Sequence, residues 1–255
     1  MLKTLFVGKN TIRLDETVST NLFASELIMQ ERPAEGTAVL AQFQTQGRGL
    51  MGTQWESERG KNLLVSYIFY PAFIETKELF MLNKALALGI YDFVKSVMKK
   101  NVFIKWPNDI YCGDKKISGM LIENSVTFSQ VNYSVVGIGL NVNQEKFMDY
   151  IPPATSLKLA KKKNMDRQKC FLELSRSIEA RYIQLKEKKL TGLNHDYKKA
   201  LYRFGQFCIY RKKQIRFPAR IVDVMADGKI VLEKENGKLE AFRFKEIALV
   251  VEAGN

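Results

Sequence analysis

The chain has 255 residues, and its 46% hydrophobic and 26% charged residues are typical of an ordinary globular protein. No apolar run approaches the roughly 20 residues that span a bilayer, and the N-terminus lacks a signal-peptide pattern, so we expect no membrane segment. Three scattered cysteines and a single histidine, His195, argue against a disulfide framework and against a metal site, and they favour a cytoplasmic location.

The formal net charge of +13 is concentrated in the C-terminal part of the chain. Residues 158–255 carry 24 Lys and Arg against 12 Asp and Glu, whereas residues 1–157 carry 16 against 15. A basic half is typical of proteins that bind nucleic acid or an acidic protein, although it is more often only a solvated surface. A non-catalytic nucleic-acid-binding module therefore stays as one alternative.

Short strands and helices are predicted to alternate from the N-terminus to about Tyr202, from hydrophobic periodicity and capping residues. The predicted strands are an edge strand at 4–7 and further strands at 12–14, 37–43, 63–70, 102–104, 110–111 and 130–142. The predicted helices run from Thr17 or Ser19 to about 30, from Thr76 or Glu78 to about 100, and over 155–163, 167–188 and 193–202. From about residue 203 only short strands follow, at 206–210, 214–223, 229–233, 239–244 and 247–251, which predicts a small barrel.

Residues 44–62 form a glycine-rich stretch, QTQGRGLMGTQWESERGKN, between two predicted strands. Glycines allow backbone N–H groups to approach an anionic ligand closely, and the guanidinium of Arg48 can bind a carboxylate or a phosphate. Trp55 offers a flat face to a ring. The stretch matches neither the P-loop nor the GxGxxG fingerprint, and taken alone such a loop is more often a flexible connector.

Residues 105–123, KWPNDIYCGDKKISGMLIE, are predicted to form a hairpin. Pro107 lacks an N–H donor and should end strand pairing there, which places Lys105 at a strand end where it can face a cleft. The hairpin then presents Lys105 and Lys116 beside Asn108 and Asp109. The alternative for this stretch alone is a structural turn with solvated lysines.

Together these stretches resemble the biotin–protein ligases, also called holocarboxylase synthetases. The matching strings are Ser19-Thr20-Asn21, GRGLMGTQW, KWPND and its hairpin, and VVGIGLNVN at 135–143. The resemblance implies an α/β (α+β) fold. A mixed β-sheet with flanking helices would span residues 1–202, and an SH3-like barrel would span residues 203–255. Because the resemblance already begins at Ser19, we expect neither the DNA-binding domain nor the repressor role of many bacterial members.

The resemblance also implies a two-step activity. Biotin and MgATP would form biotinyl-5′-adenylate, which would then modify a lysine on the biotin carboxyl carrier domain of a biotin-dependent carboxylase. A lipoate–protein ligase, which has a related architecture and similar chemistry, is the nearest alternative. Neither DNA nor a membrane is an expected partner, and the oligomeric state stays open, with a homodimer as one alternative.

Site residues follow from the same resemblance, with Lys105 and Arg48 as the catalytic cations. The expected biotin-binding residues are Ser19, Thr20, Asn21, Gln44, Gly47, Arg48, Gly49, Leu50, Lys105 and Gly119. The expected ATP-binding residues are Arg48, Trp55, Asn108, Lys116 and Asn141. Asp109 either orients Lys105 or assists proton removal from the acceptor lysine.

The glycine-rich loop departs from the family pattern at one point. Leu50-Met51 stands where many members carry a second basic residue. We therefore expect retention of the adenylate to depend on Arg48 and on closure of the loop that residues 45–61 form. That loop should be mobile without ligand and ordered with it, because only ligand contacts can offset the entropy that its glycines lose.

Overall fold

The computed structural model describes residues 4–99, 101–148 and 153–250. Within these ranges the first sheet has seven strands in the order β1-β2-β3-β7-β6-β5-β4, with β1 and β2 parallel and the other neighbours antiparallel. Its strands are β1 (Thr11–Thr17), β2 (Ala38–Gln44), β3 (Leu63–Phe69), β4 (Val102–Lys105), β5 (Asp109–Cys112), β6 (Lys115–Thr127) and β7 (Gln130–Leu140). The mixed sheet that the sequence predicts is confirmed.

Five α-helices occur in the described part of the chain: α1 (Thr20–Glu31), α2 (Leu79–Met98), α3 (Leu157–Lys161), α4 (Arg167–Lys186) and α5 (Leu190–Ala200). A second sheet follows them, with five strands in the order β11-β10-β9-β8-β12. Its strands are β8 (Phe207–Lys212), β9 (Ile215–Val224), β10 (Ile230–Lys234), β11 (Leu239–Phe242) and β12 (Ala248–Leu249). None of the described helices combines the length and the apolar character that crossing a membrane requires.

The main core lies between one face of the first sheet and the helices α2 and α4. Side chains alternate along a strand, so Val65 and Tyr67 of β3 point to this core, together with Val136 and Ile138 of β7. The two helices cross closely at Gly89, where a Cβ atom would lie 2.8 Å from Cα of Ile178. We call this side of the sheet the core face.

Helix α1 covers only part of the opposite face. A smaller apolar cluster of Ala24, Val39, Ile68 and Val135 holds it against β2, β3 and β7. Beyond the N-terminus of α1 no α-helix of the described residues covers that face, which carries glycines and polar side chains beside Leu64 and Leu121. This uncovered part positions the functional site.

The prediction of an edge strand at residues 4–7 is wrong, because these residues form a bend and a turn. Their backbone N–H groups are captured by one buried carboxylate: Leu5, Phe6 and Val7 donate to Glu179 at 2.8, 2.8 and 3.0 Å. Three donors that converge on one carboxylate cannot also pair with a neighbouring strand. Sequence periodicity could not predict this contact, because Glu179 lies more than 170 residues later in the chain.

Buried polar contacts join the second sheet to the helical side of the first. The ammonium of Lys84 on α2 donates to the carbonyl oxygen of Val224 at 2.6 Å and to Oδ1 of Asn194 at 2.8 Å. Burial lowers the pKa of Lys84 to about 8. Trp106 Nε1 donates to the carbonyl oxygen of Gly228 at 3.0 Å, so the β9–β10 turn lies against the KWPND turn.

Candidate active site

A cavity of about 570 Å³ lies on the uncovered part of the first sheet and reaches the second sheet. Strand register explains why distant residues meet there, since paired residues of neighbouring strands share a face. Lys105 pairs with Asp109, Asp109 with Gly119, Gly119 with Gly139, and Gly137 with Ser66. We call the face that carries these residues, together with Glu123, the site face.

Three glycines of β6 and β7 make room on the site face. A Cβ atom at Gly139 would lie 2.2 Å from Cε2 of Trp55, and one at Gly119 would lie 3.0 Å from Cζ3 of the same indole. A Cβ atom at Gly137 would lie 2.3 Å from Oδ1 of Asn21. The sheet therefore accepts a ring from the glycine-rich loop and a side chain from α1 at distances that only glycine allows.

The glycine-rich loop folds back on itself over the cavity. Trp55 N donates to the carbonyl oxygen of Gly47 at 2.9 Å, and Gly49 N donates to that of Thr53 at 2.7 Å. A Cβ atom at Gly47 would lie 2.3 Å from the carbonyl oxygen of Trp55, so glycine is required by close backbone approach. Near the end of the loop, Arg59 pairs with Asp15 and Glu16 on β1.

Lys105 lies at the end of β4, and the next strand starts at Asp109, as the proline in the KWPND turn predicts. Its Nζ donates to Oη of Tyr111 at 3.0 Å and lies 5.0 Å from the centroid of that ring. No carboxylate of the described ranges is within ion-pair distance of Lys105. Burial lowers the pKa of Lys105, and the charge of Asp109 opposes that shift.

The second lysine of the hairpin has a different partner. Nζ of Lys116 lies 2.8 Å from Oδ1 of Asp109 and 5.4 Å from the centroid of the Trp55 ring. Lys116 therefore links the loop to the hairpin, while Lys105 keeps its charge free of a carboxylate. This asymmetry leaves Lys105 as a half-buried cation at the cavity that Gly119, Gly137 and Gly139 also line.

A polar pocket lies at the N-terminus of α1. The backbone N–H and the hydroxyl of Thr20 both donate to Oε1 of Gln44, at 2.8 and 2.9 Å. Ser19, which precedes the helix, is 2% exposed and makes no capping hydrogen bond through its side chain. Ser19 and Thr20 thus line the cavity, and the amide nitrogen of Gln44 remains a donor.

The structure gathers most of the predicted site residues around this one cavity. Those that line it are Ser19, Thr20, Asn21, Gln44, Arg48, Gly49, Leu50, Trp55, Lys105, Asn108, Lys116 and Gly119. Gly47 and Asn141 do not line it. Asn141 is buried, and its Nδ2 donates to the carbonyl oxygen of Thr155 at 3.0 Å, which ties the end of β7 to the segment before α3. Its role in binding ATP stays a prediction.

The sequence analysis missed two residues beside the cavity and the far wall of the cavity itself. Glu123 and Ser66 lie on the site face, and alternation from Gly119 along β6 could have found Glu123. Phe244 and Ile247, which lie between β11 and β12, and Leu249 of β12 form the far wall, where the rings of Phe244 and Trp106 are 5.9 Å apart. Local sequence patterns could not predict that wall, because it depends on how the second sheet docks against the first.

Comparisons with known proteins agree with this geometry. A family model described as the biotin/lipoate A/B protein ligase family matches residues 13–143. The bifunctional ligase/repressor BirA of Bacillus spizizenii is 30% identical over 239 residues, which cover 92% of this chain and 73% of that protein. The biotin–[acetyl-CoA-carboxylase] ligase of Mycobacterium tuberculosis is 30% identical over 183 residues, with 69% of this chain and 66% of that protein covered.

A solved structure shares the fold over nearly its full length. The biotin protein ligase of Aquifex aeolicus in complex with biotin and ATP superimposes with a TM-score of 0.79 at 28% identity, covering 95% of this chain and 99% of that one. The family that the sequence motifs predicted is confirmed by these matches and by the shared architecture. This chain belongs to the biotin/lipoate A/B protein ligase family.

Proposed function

We propose that the protein is a biotin–protein ligase, which activates biotin with ATP as biotinyl-5′-adenylate and transfers the biotinyl group to a lysine of a carrier domain. One observation carries the proposal. The polar pocket at α1 and two separate cations, Arg48 and Lys105, line one cavity together with the glycines of β6 and β7. A carboxylic acid with a polar ring at its far end fits this arrangement from end to end.

The pocket at α1 would hold the ring of biotin. A ureido group presents one carbonyl acceptor and two N–H donors, and the pocket offers hydroxyl and amide groups of both kinds. Thr20 and Gln44 are already fixed by their mutual hydrogen bonds, so the ligand meets a preformed arrangement. Preorganised groups lose little entropy on binding.

The cations would serve the first chemical step. A carboxylate oxygen of biotin attacks the α-phosphorus of ATP, the bond to the leaving oxygen breaks, and pyrophosphate departs. Because two anions must meet, cations aimed at the reacting oxygens are the principal requirement. Lys105 suits this role, since it is half-buried and has no carboxylate within ion-pair distance in the described ranges. The negative charge of Asp109 supports the cationic form of Lys105, which favours an electrostatic role for Asp109.

In the second step the neutral amine of the acceptor lysine attacks the activated carbonyl carbon, and AMP leaves. Trp55 and Lys116, which contact each other at the loop, would hold the nucleotide. Arg48 would retain the adenylate until the carrier arrives. Exclusion of water is needed because a mixed anhydride hydrolyses readily.

Mg²⁺ would come bound to the phosphates of ATP and neutralise part of their charge. In the described part of the chain no three His, Cys, Asp or Glu side chains group as a metal site of the protein's own. A boundary between the ligase domain, 1–202, and the C-terminal domain, 203–255, has support from the backbone. Tyr202 donates to Ile104 in the first sheet, whereas Phe204 bridges to Ile221 in the second. A cytoplasmic location is consistent with three free cysteines.

Mass spectrometry of a carrier domain tests the proposal directly. The purified protein with ATP, Mg²⁺ and biotin should add one biotinyl group to one lysine of the carrier. The same reaction with lipoic acid should give no addition. Preferential transfer of lipoic acid would establish the lipoate ligase instead, and binding to nucleic acid that weakens steeply with salt, without any labelling, would support the binding module.

A further inference from the structure

A chain of hydrogen bonds connects the polar pocket at the N-terminus of α1 to the glycine-rich loop, and Glu123 is its last member before Arg48. Oε1 of Glu123 lies 3.1 Å from Nη2 of Arg48, and its Oε2 accepts from Nδ2 of Asn21 at 2.7 Å. Because a carboxylate can only accept, the amide of Asn21 must turn its nitrogen to Glu123 and its oxygen to the other side. There Oδ1 of Asn21 accepts from the hydroxyl of Ser66 at 2.6 Å.

The chain continues from Ser66 into the pocket. Oγ of Ser66 also lies 2.7 Å from Oγ1 of Thr20, which is 2.9 Å from Oε1 of Gln44. A hydroxyl donates one proton. That of Thr20 goes to Gln44, so the proton of Ser66 serves either Thr20 or Asn21. A ligand that donates to Thr20 in place of Ser66 leaves the Ser66 proton to Asn21, so a change in the pocket reaches the link between Ser66 and Asn21.

The two ends of the chain differ in how firmly they are held. Asn21 and Ser66 are 3% and 0% exposed, and Gly137 provides the space that Asn21 occupies. The side chains of Arg48 and Glu123, by contrast, are 53% and 33% exposed. Exposed ion pairs are weak, so Arg48 can exchange this contact for a phosphate while Glu123 stays fixed by Asn21.

We propose that Glu123 is a positioning residue that holds Arg48 beside the cavity and makes the binding of biotin and of ATP cooperative. The inference rests on the proposed function. When biotin occupies the pocket, the hydrogen bonds from Thr20 to Glu123 take one of their two proton arrangements, and Glu123 holds Arg48 where the α-phosphate must lie. Ordering that Arg48 side chain costs entropy once, so the second ligand binds more tightly than it would alone. Linkage requires the effect to be reciprocal.

Calorimetric binding constants test this coupling. The Kd of biotin is measured without and with a saturating non-hydrolysable ATP analogue, and the ratio of the two values gives the coupling. Glu123→Gln keeps the size of the side chain but offers one accepting oxygen in place of two, so it cannot serve Asn21 and Arg48 together. Glu16→Gln is the matched control, because it weakens an exposed carboxylate–arginine pair at the other end of the same loop.

For the wild-type protein we expect a coupling ratio of about fivefold or more. Glu123→Gln should lower that ratio by about threefold or more, while the Kd of biotin alone changes by less than about twofold. Arg48→Ala should lower it too, and the double variant should be no worse than Arg48→Ala alone, since Glu123 acts through Arg48. Glu16→Gln should keep the wild-type ratio.

Contrary results separate the inference from the proposed function. If the wild-type protein binds neither biotin nor the analogue, the proposed function fails. If it binds both without coupling, or if Glu123→Gln retains the full ratio, the inference is wrong and the function stands. An equal loss in Glu16→Gln would show that any loosening of the loop reduces coupling, which also overturns the specific role of Glu123.

Discussion

The core face and the site face of the first sheet are built from alternate residues of the same strands. On β7, Val136 and Ile138 enter the apolar core, whereas Gly137 and Gly139 carry Asn21 and Trp55 on the opposite side. On β3, the fully buried Ser66 lies between two core residues and bonds to the polar chain. The two faces are separated only by the thickness of the backbone.

This contrast shows how one sheet serves two purposes with a period of two residues. The core face contains large side chains in van der Waals contact, and their burial is the main source of stability. The site face contains glycines and hydrogen-bonded polar groups, which add little packing but fix the geometry of a ligand. Substitutions on the site face should therefore mainly lower the rate of catalysis, whereas substitutions on the core face should mainly lower the free energy of unfolding.

The largest effect is expected from Lys105→Ala. Loss of a preorganised charge typically costs about 3–4 kcal/mol in the transition state, which lowers the rate of adenylate formation several hundredfold. The free energy of unfolding should change by less than about 1 kcal/mol, since the side chain pairs with no carboxylate of the described ranges. Pyrophosphate release and urea unfolding measure the two quantities.

Lys95→Ala provides the matched control for that substitution. Lys95 also bonds to a tyrosine hydroxyl, that of Tyr91 at 2.7 Å, and lies 5.0 Å from its ring, but on α2 away from the cavity. The Lys95→Ala variant should keep the wild-type rate of adenylate formation. Equal losses in both variants would mean that lysine–tyrosine contacts matter for the fold and not for the reaction.

The opposite result is expected on the core face. Leu86 on α2 is fully buried, and Leu86→Ala should lower the free energy of unfolding by about 3 kcal/mol through lost burial and a cavity. The rate per folded molecule should stay close to that of the wild type. A fall in that rate comparable with the Lys105→Ala effect would show that the two faces are not separable.

A smaller effect is expected from Gly139→Ala. The new methyl group would lie 2.2 Å from the Trp55 ring and should displace the indole from its position against Gly119 and Gly139. The KM for ATP should rise roughly tenfold, with a modest loss of stability from overpacking. Gly192→Ala is the control, because its Cβ would meet no atom within 4 Å. Unchanged KM and unchanged tryptophan fluorescence in Gly139→Ala would contradict the position of Trp55.

The smallest effect near neutral pH concerns the charge of Lys105. Its pKa is lowered by burial, so the ammonium loses its proton at a lower pH than an exposed lysine does. Because the cation is the active form, kcat/KM for adenylate formation should fall as the pH rises through that lowered pKa. Lys105→Arg should remove this alkaline limb, since arginine stays protonated. An identical limb in both proteins would assign the titration to another group.

The sequence predicted the parts of the molecule that depend on local signals. Alternation and capping located most strands and helices, and Pro107 marked the end of the strand that carries Lys105. Motif strings identified Arg48, Lys105 and most of the other residues that line the cavity, and the roles of these residues in binding and catalysis stay predictions.

Contacts between distant residues account for what was missed. The capture of residues 5–7 by Glu179 replaced the predicted strand at 4–7, and it depends on tertiary packing alone. Glu123 was passed over because a single carboxylate on a strand is usually a solvated residue, and only the register places it beside Asn21 and Arg48. Phe244 reaches the cavity through the docking of the second sheet, which no local pattern encodes.

Exchange of labelled pyrophosphate into ATP tests the central claim that the site face forms a biotinyl adenylate. The exchange requires a reversible adenylate on the protein and needs no carrier domain. The account predicts exchange that depends on biotin, is absent with lipoic acid, and falls several hundredfold in Lys105→Ala, in line with the roughly 3–4 kcal/mol lost when a preorganised charge is removed. Exchange without biotin, or undiminished exchange in a folded Lys105→Ala variant, would contradict it.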